Sequence, residues 1–370
     1  MNKLTLASNL DALIVTNSYN ILYLSGFKGI SDTEREAVLV AKGSKSSKSV
    51  KGFKGNTTRS NLVLITARLY QTEANKLKSA KLDVKIASER DQTQKFLFEA
   101  LKNSQKIGFE KDNLTVGEYE KYKNLLPGKD FIACENIIEN LRQIKTKEEI
   151  AKIEKAQIIS QKALESLLPT ISVGQTELEI AKKLESIMRS LGSQGLAFGT
   201  IIASGPNSGI PHHTTSDRRL TINDTLLFDF GAKYQNYCAD LSRTVFVGKP
   251  TDRQANIYNH VAHAQKAAIA KIGHGTKSHE PFHTVNDIFK ENSLEQYFLH
   301  GLGHGIGLEV HELPYLRSKA NDTQLTNGMV FSVEPGLYFP WGGVRIEDLV
   351  VVENGKANVL GKMQDALVII

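Results

Sequence analysis

At 370 residues the chain exceeds the usual size of one hydrophobic core, so two domains are expected. Its 41% hydrophobic and 23% charged residues are ordinary for a soluble globular protein. No stretch approaches the ~20 apolar residues of a membrane span. The only cysteines, Cys134 and Cys238, lie far apart without a Cys-x-x-Cys pattern, which points to reduced thiols and a cytoplasmic protein.

The net charge of +6 raises the question of nucleic acid, but its location argues against it. Lys42, Lys45, Lys48, Lys51, Lys54 and Arg59 supply all of the excess, with no acid among them. The Ser, Gly and Lys content of this segment reads as a solvated loop rather than a phosphate- or acid-binding patch. The residues before Asp11 are broken by polar side chains, which predicts no signal-like apolar run there.

In chain order, strand-like and helix-like segments alternate over the first part and predict a small α/β domain. Ala12 to Val15, Ala37 to Val40 and Leu62 to Ile65 read as strands, the last two joined by the basic loop as a long hairpin. A helix is expected from Tyr70 to Ser79, a strand from Leu82 to Ile86, a helix from Gln94 to Lys102 and a strand from Lys106 to Phe109. The texture then changes, and a linker is expected between about 125 and 145, within a division into residues 1–135 and 136–370. Thr146-Lys147-Glu148-Glu149 is a capping-box pattern that opens an amphipathic helix through Ile150, Ile153, Ala156, Ile159, Ala163 and Leu167, stopped by Pro169. Thr176-Glu177-Leu178-Glu179 opens another, which Gly192 can close. From Phe198 onward strands and glycines dominate, with one helix near Gln254 to Ile272.

Residues able to hold metal punctuate this second part. Leu226 to Val247 reads as two strands joined by a turn around Gln235-Asn236, which can bring Asp229 and Asp240 to one place; two structural aspartates on a surface hairpin are the competing reading. Asp229 ends an apolar run, where a buried carboxylate is costly unless neutralised. His304 lies in His300-Gly301-Leu302-Gly303-His304-Gly305-Ile306-Gly307, Glu334 in Ser332-Val333-Glu334-Pro335-Gly336, and Glu347 in Val344-Arg345-Ile346-Glu347-Asp348. Four carboxylates carry a formal −4, the charge that two divalent ions balance, which suggests a two-metal hydrolase. Such a set favours Mn²⁺, with Co²⁺ or Zn²⁺ as alternatives.

The glycines around His304 match neither a Walker loop nor a dinucleotide fingerprint, and they disfavour a helical His-Glu-x-x-His zinc site. They fit a backbone that approaches its neighbours closely. The pair His212-His213 is weaker evidence, and no Gly-x-Ser-x-Gly elbow supports a serine nucleophile.

Together these runs resemble the metallopeptidase family of aminopeptidase P, prolidase and methionine aminopeptidase, over nearly the whole chain. Asp11 to Val15 and Asn20 to Phe27 look like the creatinase/prolidase N-terminal domain; Arg142 to Ile150 is similar to the segment leading into the family's catalytic domain; His300 to Glu312 and Glu334-Pro335-Gly336 are its specific signatures. The resemblance implies a creatinase-like α/β domain followed by a pita-bread catalytic domain. It implies two divalent metal ions, one held by Asp229, both bridged by Asp240 and Glu347, and completed by His304 and Glu334. A water between the ions would attack, and Glu334 would relay its proton to the leaving nitrogen. His212 aligns with a substrate-contacting histidine, His311 with one that steadies the tetrahedral intermediate, and His300 with a further active-site histidine. Arg345 would hold a bridging carboxylate.

The extra N-terminal domain argues against a methionine aminopeptidase, and the complete ligand set against metal-free creatinase. The resemblance therefore implies cleavage before proline: an aminopeptidase P-like exopeptidase releasing the N-terminal residue from Xaa-Pro peptides. The alternatives are a prolidase restricted to Xaa-Pro dipeptides, whose carboxylate Arg317 or Lys319 could meet, and a non-catalytic binding member of the fold. Partners implied are proline-containing peptides and a second copy in a homodimer, with no nucleic acid and no membrane.

Overall fold

Alternate residues of the first strand, β1 (Ala12–Val15), belong to different cores. Leu13 and Val15 join a cluster with Ile21, Leu24 and Ala74. Ala12 and Ile14 join another with Leu97, Leu101 and Tyr122. A strand covered on both faces has no polar side to show, which is why β1 reads as an unbroken apolar run.

These observations come from a computed structural model that describes residues 10–29, 35–43, 62–319, 323–361 and 367–370. The basic run beyond Lys42 lies outside the described residues. The chain divides into two compact units, Met1–Leu141 and Arg142–Ile370.

In the first unit the chain order is β1, α1 (Ser18–Ser25), β2 (Ala37–Lys42), β3 (Leu62–Ala67), α2 (Gln71–Leu77), β4 (Leu82–Ala87), α3 (Arg90–Leu101), β5 (Lys106–Glu110), α4 (Val116–Leu125) and β6 (Asp130–Cys134), with α5 (Glu139–Arg142) at its end. The strands form one sheet in the order β4-β3-β2-β1-β5-β6. β2 runs antiparallel to β1 and β3, so the expected hairpin is present, and the other pairings are parallel. Residues 125–145 are not a plain linker: they carry β6 and α5.

The second unit is built twice on one plan, helices against a largely antiparallel sheet. The helices α6 (Lys147–Leu167) and α7 (Glu177–Ser190) both open with the expected capping boxes, at Thr146/Glu149 and Thr176/Glu179. They are followed by β7 (Ile201–Ser204), β8 (Thr225–Phe230), β9 (Lys233–Tyr234), β10 (Tyr237–Cys238) and β11 (Leu241–Phe246). Next come α8 (Asp252–Lys271) and α9 (Glu280–Glu291), then β12 (Gly303–Gly305), β13 (Glu312–Leu316), β14 (Val330–Val333), β15 (Gly336–Phe339), β16 (Gly342–Arg345), β17 (Asp348–Glu353), β18 (Lys356–Val359) and β19 (Val368–Ile369). Apolar residues of α6 and α7 pack on the sheet β19-β11-β8-β7. Those of α8 and α9 pack against β14, β15, β16 and β17, of which β14 and β17 lie in the sheet β13-β12-β14-β17-β18.

In the first unit α1, α4, β6 and α5 were absent from the sequence reading, and in the second unit two elements differ from it. The helix α9 was absent from it, although Phe282, Val285 and Phe289 recur at helical spacing; its N-cap residue, His279, makes no capping bond, so the usual start signal is missing. The hairpin of Leu226 to Val247 is broken in two. β8 pairs with β11, while the tip forms the separate pair β9-β10 about Gln235 and Asn236, both at positive φ. Among the described residues no helix is long and apolar enough to cross a membrane.

Candidate metal centre

The two halves of the second unit each contribute to one cavity of about 420 Å³. From the first half come Asp229 on β8, Asp240 just ahead of β11, and His212 in the connection from β7 to β8. From the second come His304 on β12, Glu334 after β14, Arg345 ending β16 and Glu347 following it, with His300 and His311 flanking β12 and β13. The nine residues to which the resemblance gave a metal-binding or catalytic role therefore all line the same space.

Glycine makes the second contribution feasible. A Cβ on Gly303 would lie 2.0 Å from the Ser332 carbonyl oxygen, and one on Gly305 would lie 2.1 Å from that of Leu313. Only bare backbone lets β12 lie this close to its neighbours and carry His304 between them.

The candidate ligands are crowded and short of positive charge. Ligand atoms of Asp240, His304 and Glu347 all fall within 4.8 Å of one another. His304 Nε2 is 3.3 Å from Glu334 Oε1 and 3.6 Å from Asp240 Oδ2. Its other nitrogen, Nδ1, donates to the Gly305 carbonyl at 3.2 Å, so Nε2 is the nitrogen that faces the carboxylates. Burial lowers the imidazole pKa, but the bond and charge of Glu334 outweigh it and raise that pKa, making Nε2–H a donor to Glu334 until a cation displaces its proton. Among the described residues, Asp240 Oδ1 and Glu347 Oε1 are buried with no hydrogen-bond partner. Burial, then the repulsion of Glu347 and Asp229, pushes the Asp240 carboxyl well above its ordinary range; burial and the Glu334 charge do the same to Glu347. Burial also works on Glu334, but the bond and charge of His304 outweigh it and pull that group down to about 2. Orphaned carboxylate oxygens beside an imidazole nitrogen whose proton a cation can displace are what divalent ions satisfy, so the donor set fits two such ions.

Arg345 organises the surroundings. Its guanidinium donates to Asp229 Oδ2, to the Tyr338 hydroxyl at 2.8 Å and to the Pro211 carbonyl at 3.1 Å, while its Nε donates to Ser242 Oγ at 2.9 Å. Ser242 Oγ in turn donates to Glu347 Oε2 at 2.7 Å. The sequence reading placed Arg345 on a bridging carboxylate. Its direct carboxylate partner is instead Asp229, and it reaches Glu347 only through Ser242.

His300 is less available than the sequence suggested. Its Nε2 is 2.7 Å from the Tyr338 hydroxyl and its Nδ1 is 2.7 Å from the Gly301 carbonyl. The Tyr338 oxygen already accepts from Arg345, so its single proton goes to His300 Nε2, and Nδ1–H donates to Gly301. Both ring nitrogens are thus engaged and the ring is neutral, in line with burial lowering its pKa. His212 and His311 remain exposed, with the His311 ring set edge-on to His304 at 4.2 Å between centroids.

Tyr338, Ser242 and Ser332, whose hydroxyl links the His304 amide to Glu334, were not singled out in the sequence. Tyr338 stands four residues after Glu334, and that proximity was the one available signal. Cys238, two residues from Asp240, is buried with its thiol pushed up to about 12 by burial, which keeps it protonated and unreactive. His213 turns away from this chemistry to Glu177, at 2.9 Å.

Comparison with known proteins agrees with this architecture. Residues 151–354 match the model of metallopeptidase family M24, and residues 2–144 match the creatinase/prolidase N-terminal domain. The chain is 41% identical over 272 residues to an Xaa-Pro dipeptidase of Pyrococcus furiosus, covering 73% of this chain and 78% of the relative. The solved structure of an Xaa-Pro dipeptidase from Bacillus anthracis aligns with a TM-score of 0.87 at 34% identity, over 98% of this chain and 95% of that one. That of an X-Pro aminopeptidase from Thermotoga maritima aligns with a TM-score of 0.83 at 30% identity, over 98% of each chain. A creatinase-like first domain, a pita-bread second domain and a carboxylate-rich centre fit for divalent ions lead to one conclusion: the chain is a peptidase that belongs to metallopeptidase family M24.

Proposed function

We propose that the protein is a prolidase-type dipeptidase, hydrolysing the bond before proline in Xaa-Pro dipeptides. The sequence reading placed longer Xaa-Pro peptides first. The observation that moves the balance to dipeptides is Arg317. It lines the cavity, as Lys319 does not, and among the described residues it makes no hydrogen bond or ion pair. Its guanidinium rests over the Tyr315 ring at 4.9 Å. The other arginine of the cavity, Arg345, is committed to Asp229. Arg317 is therefore free to take the C-terminal carboxylate of a dipeptide as a charge-assisted, bidentate pair. The names of the Pyrococcus furiosus and Bacillus anthracis relatives support the same choice.

In this reading Asp229, Asp240, His304, Glu334 and Glu347 hold two divalent ions, and the oxygen-rich set makes Mn²⁺ the first to test. When bound, such ions supply Lewis acidity and lower the pKa of the attacking water toward ~7. Glu334, ionised at neutral pH, takes the proton of that water at a carboxylate oxygen and passes it to the departing proline nitrogen. That nitrogen carries no hydrogen of its own in the peptide bond. His311 faces the cavity, where it donates to the developing oxyanion, and His212 contacts the substrate. Phe198, Ile201 and Val310 supply apolar wall for the ring. His300, with both nitrogens engaged, orients Tyr338 rather than touching substrate.

Steady-state kinetics of the Mn²⁺-loaded protein on Ala-Pro, Ala-Pro-amide and Ala-Pro-Ala tests the proposal. Ala-Pro should be turned over with kcat/KM at least about tenfold above the other two, as one lost ion pair requires. Equal or better cleavage of Ala-Pro-Ala would return the aminopeptidase P-like reading. Full activity after chelation would reject the metal centre altogether.

A further inference from the structure

Glu177 takes no part in the proposed chemistry, yet it is fully buried and its carboxylate is saturated with donors. Oε1 accepts from the Ser204 amide and hydroxyl, both at 2.7 Å, and from Asn207 Nδ2 at 3.0 Å. Oε2 accepts from His213 Nε2 at 2.9 Å and from the Ser216 amide and hydroxyl at 3.0 and 2.7 Å. Burial alone would raise its pKa, but these donors outweigh burial and keep it ionised. It also occupies the first turn of α7, where the helix dipole favours an anion.

What Glu177 fastens is a single stretch of chain. Ser204 and Asn207 lie before Pro211-His212, and His213 and Ser216 lie after it, so the carboxylate draws both ends of a loop to one point. The loop is also held from the cavity side, because Arg345 donates to the Pro211 carbonyl. His212 thus has its preceding neighbour pinned by Arg345 and its following neighbour pinned by Glu177. Its own ring stays exposed in the cavity. Pro211 and His212 form the centre of a turn closed by the His213 amide donating to the Ile210 carbonyl at 3.2 Å, and at this corner the His213 side chain goes to Glu177 while that of His212 lines the cavity.

We propose that Glu177 and His213 are positioning residues that aim His212 at the substrate. This rests on His212 being a substrate contact, as argued above. The His-His pair is then not a repeat: one histidine works and the other anchors it.

The test compares His212→Ala, His213→Phe, His213→Gln and the double variant His212→Ala/His213→Phe as Mn²⁺-loaded full-length protein on Ala-Pro, with bound metal and melting temperature recorded for each. His213→Phe removes the donor to Glu177 and should lower kcat/KM about 10- to 100-fold. His213→Gln, whose amide can reach the same oxygen, should restore most of it. The double variant should be no worse than His212→Ala within about twofold, because both substitutions disable the same contact. A fully active His213→Phe beside an impaired His212→Ala overturns the clamp alone, as do losses that multiply in the double variant. A fully active His212→Ala overturns the clamp together with the role of His212. Should His213→Phe not fold, His213→Asn, whose amide is too short to reach Glu177, takes its place with the same two outcomes.

Discussion

Arg345 and Tyr338 share a hydrogen bond of 2.8 Å, and this contact sets the proton positions of His300. A guanidinium can only donate, so the phenol oxygen accepts from it and directs its own O–H as a hydrogen-bond donor to His300 Nε2. The phenol itself is pushed up to about 12 by burial, so it keeps that proton across the working range of an enzyme. Tyr338→Phe should leave a buried Arg345 donor and the His300 nitrogen unpaired, at a cost of about 1–3 kcal/mol. We expect kcat/KM to fall about 10- to 100-fold with bound metal retained. Kinetics alongside elemental analysis checks this, and an unchanged rate would separate Tyr338 from the site.

Asp240 sits where carboxylates crowd, with one oxygen unpartnered. In metal-free protein at neutral pH, Asp240→Asn relieves that repulsion and should raise the melting temperature. The same variant should lose most of the stabilisation that Mn²⁺ confers on the parent protein, and more than about 100-fold of its activity. Thermal melts with and without Mn²⁺ measure both. An identical Mn²⁺ shift in parent and variant would remove Asp240 from the ligand set.

Arg317 separates binding from chemistry. Arg317→Met should raise KM for Ala-Pro about 10- to 100-fold with kcat changed less than about threefold, since a substrate contact made equally in ground and transition states affects only KM. Ala-Pro-amide, which has no carboxylate to lose, should be indifferent to the substitution. Parallel loss on both substrates would mean that Arg317 supports the fold of the loop instead.

Glu312, next to His311, is buried between two cations. Its oxygens lie 2.5 Å from Arg142 and 2.8 Å from Lys145, and Arg142 also meets Glu309 at 2.7 Å. Burial raises the Glu312 pKa, but Lys145 and Arg142 outweigh it, and the folded value lies below the ordinary 4.5. The unfolded chain therefore binds this proton first. The stabilisation is present in full above about pH 4.5 and is lost as pH falls through the folded value. Glu312→Gln should cost about 3–5 kcal/mol at pH 7, because it leaves Arg142 and Lys145 under-compensated. Urea unfolding of metal-free protein at descending pH should show parent and variant converging below about pH 4.5. A gap independent of pH would assign the effect to packing.

The sequence by itself determined which residues meet at the centre. Asp229, Asp240, His304, Glu334 and Glu347 stand in recognisable runs, and the capping boxes of α6 and α7 and the strands of the first unit are local signals read from neighbours a few residues apart. Where local signals fail, so did the reading: α9 begins without a capping bond, and β6 is only partly buried and shows no clean alternation. The tertiary structure alone decided how atoms are partnered. Arg345 lies on Asp229, Tyr338 closes on His300 and His213 turns to Glu177 across 116, 38 and 36 residues of chain. Which lone pair or proton faces which partner depends on how two sheets and their helices pack, and no spacing along the chain encodes that.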